Sequence, residues 1–154
     1  PFDAAVIGCF DDTALAEISA KGAHTVVGLG EAAFRAAAGS GRRFAVLTTA
    51  ELSVPILEAN MRSYGLEKNC ICIRASTIDV LDFEKDRNVA TNRLIAAGHI
   101  LMNDHPEIEL IVLGCAGMGG LSKELESSLG VSVIDPISAS IDLALRRSVD
   151  ANAS

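Results

Sequence analysis

The 154-residue chain has no apolar run near the roughly 18 residues of a membrane-spanning helix, although 49% of its residues are apolar. It also lacks clustered Lys and Arg. A formal charge of −7 leaves no basic surface for a phosphate backbone, which argues against nucleic acid as a partner. The four cysteines, Cys9, Cys70, Cys72 and Cys115, come without a secretory signal or a disulfide-rich pattern, so free thiols in a reducing cytoplasm are expected. There is no low-complexity segment and no linker; "GSGRR" (39–43) is a turn. "PFDAAVIGCF" enters a strand with no initiator Met and no lead-in, from which a segment upstream of Pro1 is expected.

The sequence does contain short apolar, β-rich runs at 4–9, 24–28, 43–48, 70–74, 110–115 and 131–135. Helical spacing fills 12–21, 30–39, 53–64, 86–104, 120–129 and 137–149. Strand and helix alternate throughout. Near-continuous Val/Ile/Leu strands in that alternation predict an α/β fold, with parallel sheets covered by helices on both faces. Local signals set several boundaries. Thr48 and Glu51 have capping-box spacing, Pro55 suits a first helical turn, Gly65 ends that helix, and "NDHP" (103–106) stops the long one.

Two strand ends share a pattern. "AVIGCFDD" and "IVLGCAGM" each run from a buried strand through Gly-Cys to an expected helix start, hinting at a duplicated half. In parallel α/β sheets ligands gather at the carboxyl ends of strands. A helix N-terminus there favours a thiolate and can receive a developing oxyanion. Free cysteine, with a pKa near 8.5, is only about 3% thiolate at pH 7, so such help is needed. Two thiols facing one carbon from opposite sides can act as base and acid, one taking a proton and the other returning one to the far face. The backbone amides of Phe10, Asp11, Ala116 and Gly117 are candidates for holding carbonyl oxygens. Thr48 and Thr49, at another strand end, are read either as further hydrogen-bonding groups of the site or, for Thr48, as a helix cap.

Other features have simpler readings. Asp11 and Asp12 are expected to cap the helix that follows them, and Glu31 to place early-helix charge or face the pocket. Cys70 and Cys72, alternating on a strand, are expected on one face within the core. "EKDRN" (84–88) reads as a solvated helix face. His24, His99 and His105 are scattered, and no zinc or Cys-His pattern is assembled, so neither metal nor cofactor is expected.

"IGCFDD", "VVGLGEAAF", "FAVLTT", "VLGCAGM" and "VIDP", in this order, resemble the aspartate/glutamate/hydantoin racemase superfamily over nearly the whole chain. Gly-Cys-Ala-Gly-Met at 114–118 is similar to the hydantoin and allantoin racemase branch; amino-acid racemases usually carry Gly-Cys-Thr-Glu there. The resemblance implies two pseudo-symmetric lobes with the site between them: residues 1–40 and 134–154 in a first lobe bearing Cys9, and 41–133 in a second bearing Cys115. It further implies a homo-oligomer acting on a small hydantoin-type ring, with Cys9 and Cys115 as the catalytic pair of a cofactor-independent racemase. Family members are longer, and their first strand and its Asn-Pro-Asn type loop have no counterpart here. Alternatives are aspartate or glutamate racemization, which Ala116-Gly117 disfavours, maleate isomerisation, malonate decarboxylation, which needs only one cysteine, and a catalytically silent small-molecule-binding domain or fragment.

Overall fold

In the four-stranded parallel sheet at the centre of the molecule, β3 (Phe44–Thr48) and β5 (Leu110–Leu113) are buried along their whole length. The computed structural model describes residues 2–22 and 24–152, without the side chains of 151 and 152; Pro1, on which the expectation of an upstream segment turns, lies outside them. The order is β4-β3-β5-β6, with β4 at Cys70–Ala75 and β6 at Ser132–Ile134. A separate parallel pair joins β1 (Ala4–Ile7) to β2 (Thr25–Gly28) in the register Ala4 to Thr25 through Ile7 to Gly28.

Among the described residues the strands are connected by α1 (Leu15–Ser19), α2 (Leu29–Gly39), α3 (Val54–Ser63), α4 (Asp82–Lys85), α5 (Arg87–Asp104) and α6 (Ser122–Leu129), and α7 (Pro136–Asn152) follows the last strand. The expected α/β class with parallel strands is what the chain adopts. Pro55 stands in the first turn of α3, and Gly65 follows that helix with φ 67°, a left-handed conformation that glycine adopts without penalty. α5 stops at Asp104, ahead of Pro106.

Alternation along β3 divides the core. Phe44 and Val46 face α2 and α3, packing with Phe34, Leu57 and Met61. Ala45 and Leu47 face α5 and α6, packing with Leu94, Leu101 and Leu125. Helices therefore cover both faces of this sheet. α2 also turns Ala32 to the other side, where Val27 and α7 residue Ala144 complete a third apolar cluster. It is the layer common to both sheets.

Two local expectations are corrected. The register shifts between Phe44 and Ala45, which pair with Cys70 and Cys72, so Ile71 is an extra residue on β4. The bulge turns Cys70 toward the α2–α3 cluster and Cys72 toward the α5–α6 cluster, on opposite faces rather than one. The "EKDRN" run is no continuous helix face: α4 ends at Lys85, and Asp86 caps α5 by accepting from the Val89 amide at 3.1 Å. A charged run here marks a junction between two helices.

Candidate active site

Strands β1 and β5 end before their cysteines, so Gly8-Cys9 and Gly114-Cys115 lie in the loops beyond the ladders. The Cys9 loop is held by its neighbours. The Phe10 side chain is buried edge-on against Phe34, with ring centroids 5.4 Å apart. The Asp11 carbonyl accepts from Asn60 Nδ2 at 2.8 Å, and its carboxylate from the Ser53 hydroxyl at 3.4 Å. Cys9 itself stays exposed, with Thr13 Oγ1 4.0 Å from its sulfur.

Neither aspartate caps the helix that follows it. Ala14 occupies the start of α1 with no side-chain cap. Asp12 instead reaches the start of α2, accepting from the Gly30 amide at 2.9 Å, the Glu31 amide at 2.7 Å and the Tyr64 hydroxyl at 2.8 Å. The first turn of α2 thus gets its capping acceptor from a residue 18 positions upstream. Burial pushes the Asp12 carboxyl above its ordinary range, against the pull of these three donors. Glycine is required where the acid docks. A Cβ on Gly28 would lie 2.3 Å from Asp12 Oδ1, and one on Gly30 2.4 Å from the Phe10 carbonyl. The "GLGEAA" motif is a landing place for Asp12.

Glu31 extends the network. Its buried carboxylate accepts from Arg147 Nη2 at 2.6 Å, Arg147 Nη1 at 3.1 Å and Arg35 Nε at 2.8 Å, tying α7 to α2. Burial pushes its carboxyl up, but the two guanidinium groups outweigh this and hold it below the ordinary value. A depressed carboxyl contributes stability that is present above its unfolded pKa and lost as pH falls through the folded value. Glu31→Gln is therefore expected to cost about 2 kcal/mol at pH 7, between exposed and buried ion pairs. Urea melts from pH 7 down should show the gap to the parent narrowing below about 4.5, the unperturbed value. A gap constant with pH would contradict this account.

The Cys115 loop is pinned by other groups. Cys115 is half-buried and opens a single 3-10 turn, Ala116–Met118. Arg87 Nη2 donates to the Gly119 carbonyl at 2.7 Å, and the Asp135 carboxylate accepts from the Gly120 amide as well as the Ile137 and Ser138 amides of α7. Thr48, buried in β3, donates its hydroxyl to the Gly114 carbonyl at 2.9 Å. This corrects the capping-box expectation: Ala50 begins the turn at Glu51–Ser53, with no side-chain cap. Thr48 thereby sits behind the Cys115 loop and fixes it to β3.

The expected helix starts also differ. α1 begins only at Leu15 and α6 only at Ser122, so Cys9 leads into a turn closed by the Asp12 amide and Cys115 into one 3-10 turn. Among the described residues, the amides of Phe10, Asp11, Ala116 and Gly117 donate to no protein acceptor. Phe10 and Ala116, which follow the two cysteines, belong to one apolar cluster.

A cavity of about 410 Å³ opens at the ends of β3 and β4, lined by Thr49, Ala50, Glu51 and residues 77–80. It adjoins the Cys115 loop: a Cβ on Gly117 would lie 3.2 Å from Val80 Cγ1 and 3.8 Å from Cys115 Sγ. Thr49 is 8% exposed, and among the described residues its hydroxyl, open to solvent, has no protein partner. Residues 77–80 carry no strand or helix period, and the only sequence signal for them is their place just past a parallel strand end. Cys70 and Cys72 lie at a smaller cavity of about 200 Å³. Burial pushes the Cys70 thiol up to about 12 and Cys72 upward as well. Among the described residues, no His/Cys/Asp/Glu group is arranged to hold a metal ion, and no helix is long and apolar enough to cross a membrane.

Comparison with known proteins bears on these loops. The hydantoin racemase of Rhizobium meliloti is 39% identical over 142 residues, covering 92% of this chain and 58% of that protein. The hydantoin racemase of Pseudomonas sp. (strain NS671) is 35% identical, over 92% of this chain and 57% of its own length. The crystal structure of allantoin racemase from Pseudomonas fluorescens superposes with a TM-score of 0.87 at 29% identity, covering 95% of this chain and 62% of that one. The chain thus spans about three fifths of the length of these relatives. A sequence profile of the Asp/Glu/Hydantoin racemase family matches residues 1–144, and the chain belongs to that family.

Proposed function

We propose that this protein is a cofactor-independent racemase that inverts the ring stereocentre of 5-substituted hydantoins or allantoin by proton transfer between Cys9 and Cys115. The observation that carries the reading is the repeated strand end. β1 and β5 each lead into Gly-Cys followed by unengaged amides, and the second lies against an open cavity. The family relationship to hydantoin and allantoin racemases supports the substrate class.

In the resting pair one sulfur is a thiolate and the other a thiol. The thiolate takes the proton from C5 of the ring; the C–H bond breaks, an S–H bond forms, and the electron pair passes to the adjacent carbonyl oxygen as an enolate. The free amides beside the cysteines donate to that oxygen as its charge grows. The second thiol then returns its proton to the opposite face of C5, restoring the carbonyl. The pair is left with its protonation exchanged, the form that acts on the other enantiomer. In this reading Cys9 belongs to a first lobe (1–40 and 134–154) and Cys115 to a second (41–133), in a homo-oligomer of a reducing cytoplasm.

The test is to incubate the full chain with optically pure allantoin and with L- and D-5-alkylhydantoins in D₂O, following circular dichroism and proton NMR together. The optical signal should decay above the uncatalysed rate as deuterium enters C5. A folded protein that accelerates neither process on any of these rings overturns the reading.

A further inference from the structure

The cavity at the ends of β3 and β4 is lined by seven residues, two of which carry carboxylates and none a cation. Resting on the racemase reading above, we propose that this cavity receives the C5 substituent of the ring and selects substituents bearing N–H donors or positive charge over those bearing a carboxylate. Glu51 and Asp79 would make the selection, with the Thr49 hydroxyl as a further hydrogen-bonding group.

Position comes first. Val80 lines the cavity and packs on Gly117, the same residue that flanks the Cys115 sulfur. A ring whose C5 is within reach of that sulfur has its substituent directed to one side, and the cavity is the open volume adjoining that side. At about 410 Å³ it falls within the range of small-molecule sites.

Chemistry comes second. Ile78, buried at 2% exposure, with Ala50 and Val80, gives an apolar wall for a methylene stem. Thr49 lines the cavity, and among the described residues its hydroxyl is engaged by no protein group and is open to solvent there. Asp79 is fixed by its own turn, its Oδ1 accepting from the Leu81 amide at 2.9 Å, which leaves Oδ2 for a ligand. Among the described residues the Glu51 carboxylate has no hydrogen bond or ion pair, so nothing neutralises it. An amide, ureido or ammonium group meets acceptors here. A carboxylate meets two like charges and no cation, and like-charge juxtaposition is the effective way to reject a near-isosteric competitor.

The experiment compares kcat/KM for three L-hydantoins: 5-(2-carbamoylethyl), 5-(2-carboxyethyl), which is nearly the same size, and 5-methyl as reference. The parent protein is expected to favour the carbamoyl compound over the carboxylate by about tenfold in low salt, with the ratio shrinking at high ionic strength because both acids are solvent-exposed. Glu51→Gln and Asp79→Asn should each narrow the ratio, and the double variant should bring it to within about twofold. Turnover of the 5-methyl compound with equal rates for the other two, or a ratio indifferent to both substitutions in folded variants, overturns this inference alone. No turnover of any of the three by the folded parent overturns the racemase reading and this inference with it.

Discussion

Cys115→Ser, and separately Cys9→Ser, is expected to lower racemization by about a thousandfold, the scale of a lost general acid or base. A serine hydroxyl is too weak an acid to supply an oxyanion near neutral pH, so the proton cycle stops at whichever face has lost its sulfur. Stability should change little in both variants. Cys9 is exposed with one long contact from Thr13, and Cys115 is half-buried at the edge of the core, so the isosteric replacement leaves no cavity and no orphaned polar group. A melting curve beside the polarimetric assay separates the two effects. A folded Cys115→Ser protein that racemizes at the parent rate would sink the two-thiol mechanism.

The largest structural effect is expected at a residue with no side chain. Gly28→Ala places a methyl group 2.3 Å from Asp12 Oδ1, inside any allowed contact. Asp12 cannot retreat freely, because Tyr64 and the amides of Gly30 and Glu31 hold it. Displacing the acid leaves buried amide hydrogens unpaired at the start of α2, at about 1–3 kcal/mol for each group so orphaned. Forcing the overlap instead costs a similar amount. A loss of about 3 kcal/mol follows, which for a chain of this size lowers the melting temperature by about 6–12 °C. The Cys9 loop is attached to the same acid, so racemization should fall further than the unfolded fraction alone explains. A Gly28→Ala protein as stable as the parent would mean that Asp12 does not cap α2 in solution.

The contrast between these two positions shows what local sequence could and could not reveal. The strand ends that carry Cys9 and Cys115 are legible because an apolar run ending in Gly-Cys is a local pattern; the expectation that both runs are buried holds for β5 but not for β1, where Val6 is exposed and the rest half-buried. The fold class was legible for the same reason: runs such as Phe44–Thr48 and Leu110–Leu113 are apolar without alternation, as doubly covered strands must be. Asp12 was misread because capping was sought three residues ahead, whereas its partners lie 18 and 19 positions on, across β2. The cap reading of Thr48 fails in the same manner, its hydroxyl being drawn 66 positions away to Gly114 by strand pairing. No spacing rule contains such contacts. The cavity wall at 77–80 was invisible because irregular loops have no period to detect.

The bulge in β4 has a consequence for the sulfur chemistry of the whole chain. Cys70 and Cys72 point to opposite sides of the sheet, and side chains that diverge cannot be joined as a disulfide without moving the backbone. Burial also raises both thiols, Cys70 to about 12, so neither supplies the anion that begins exchange near neutral pH. The two spare sulfurs are thereby poor partners for an oxidised Cys9 or Cys115.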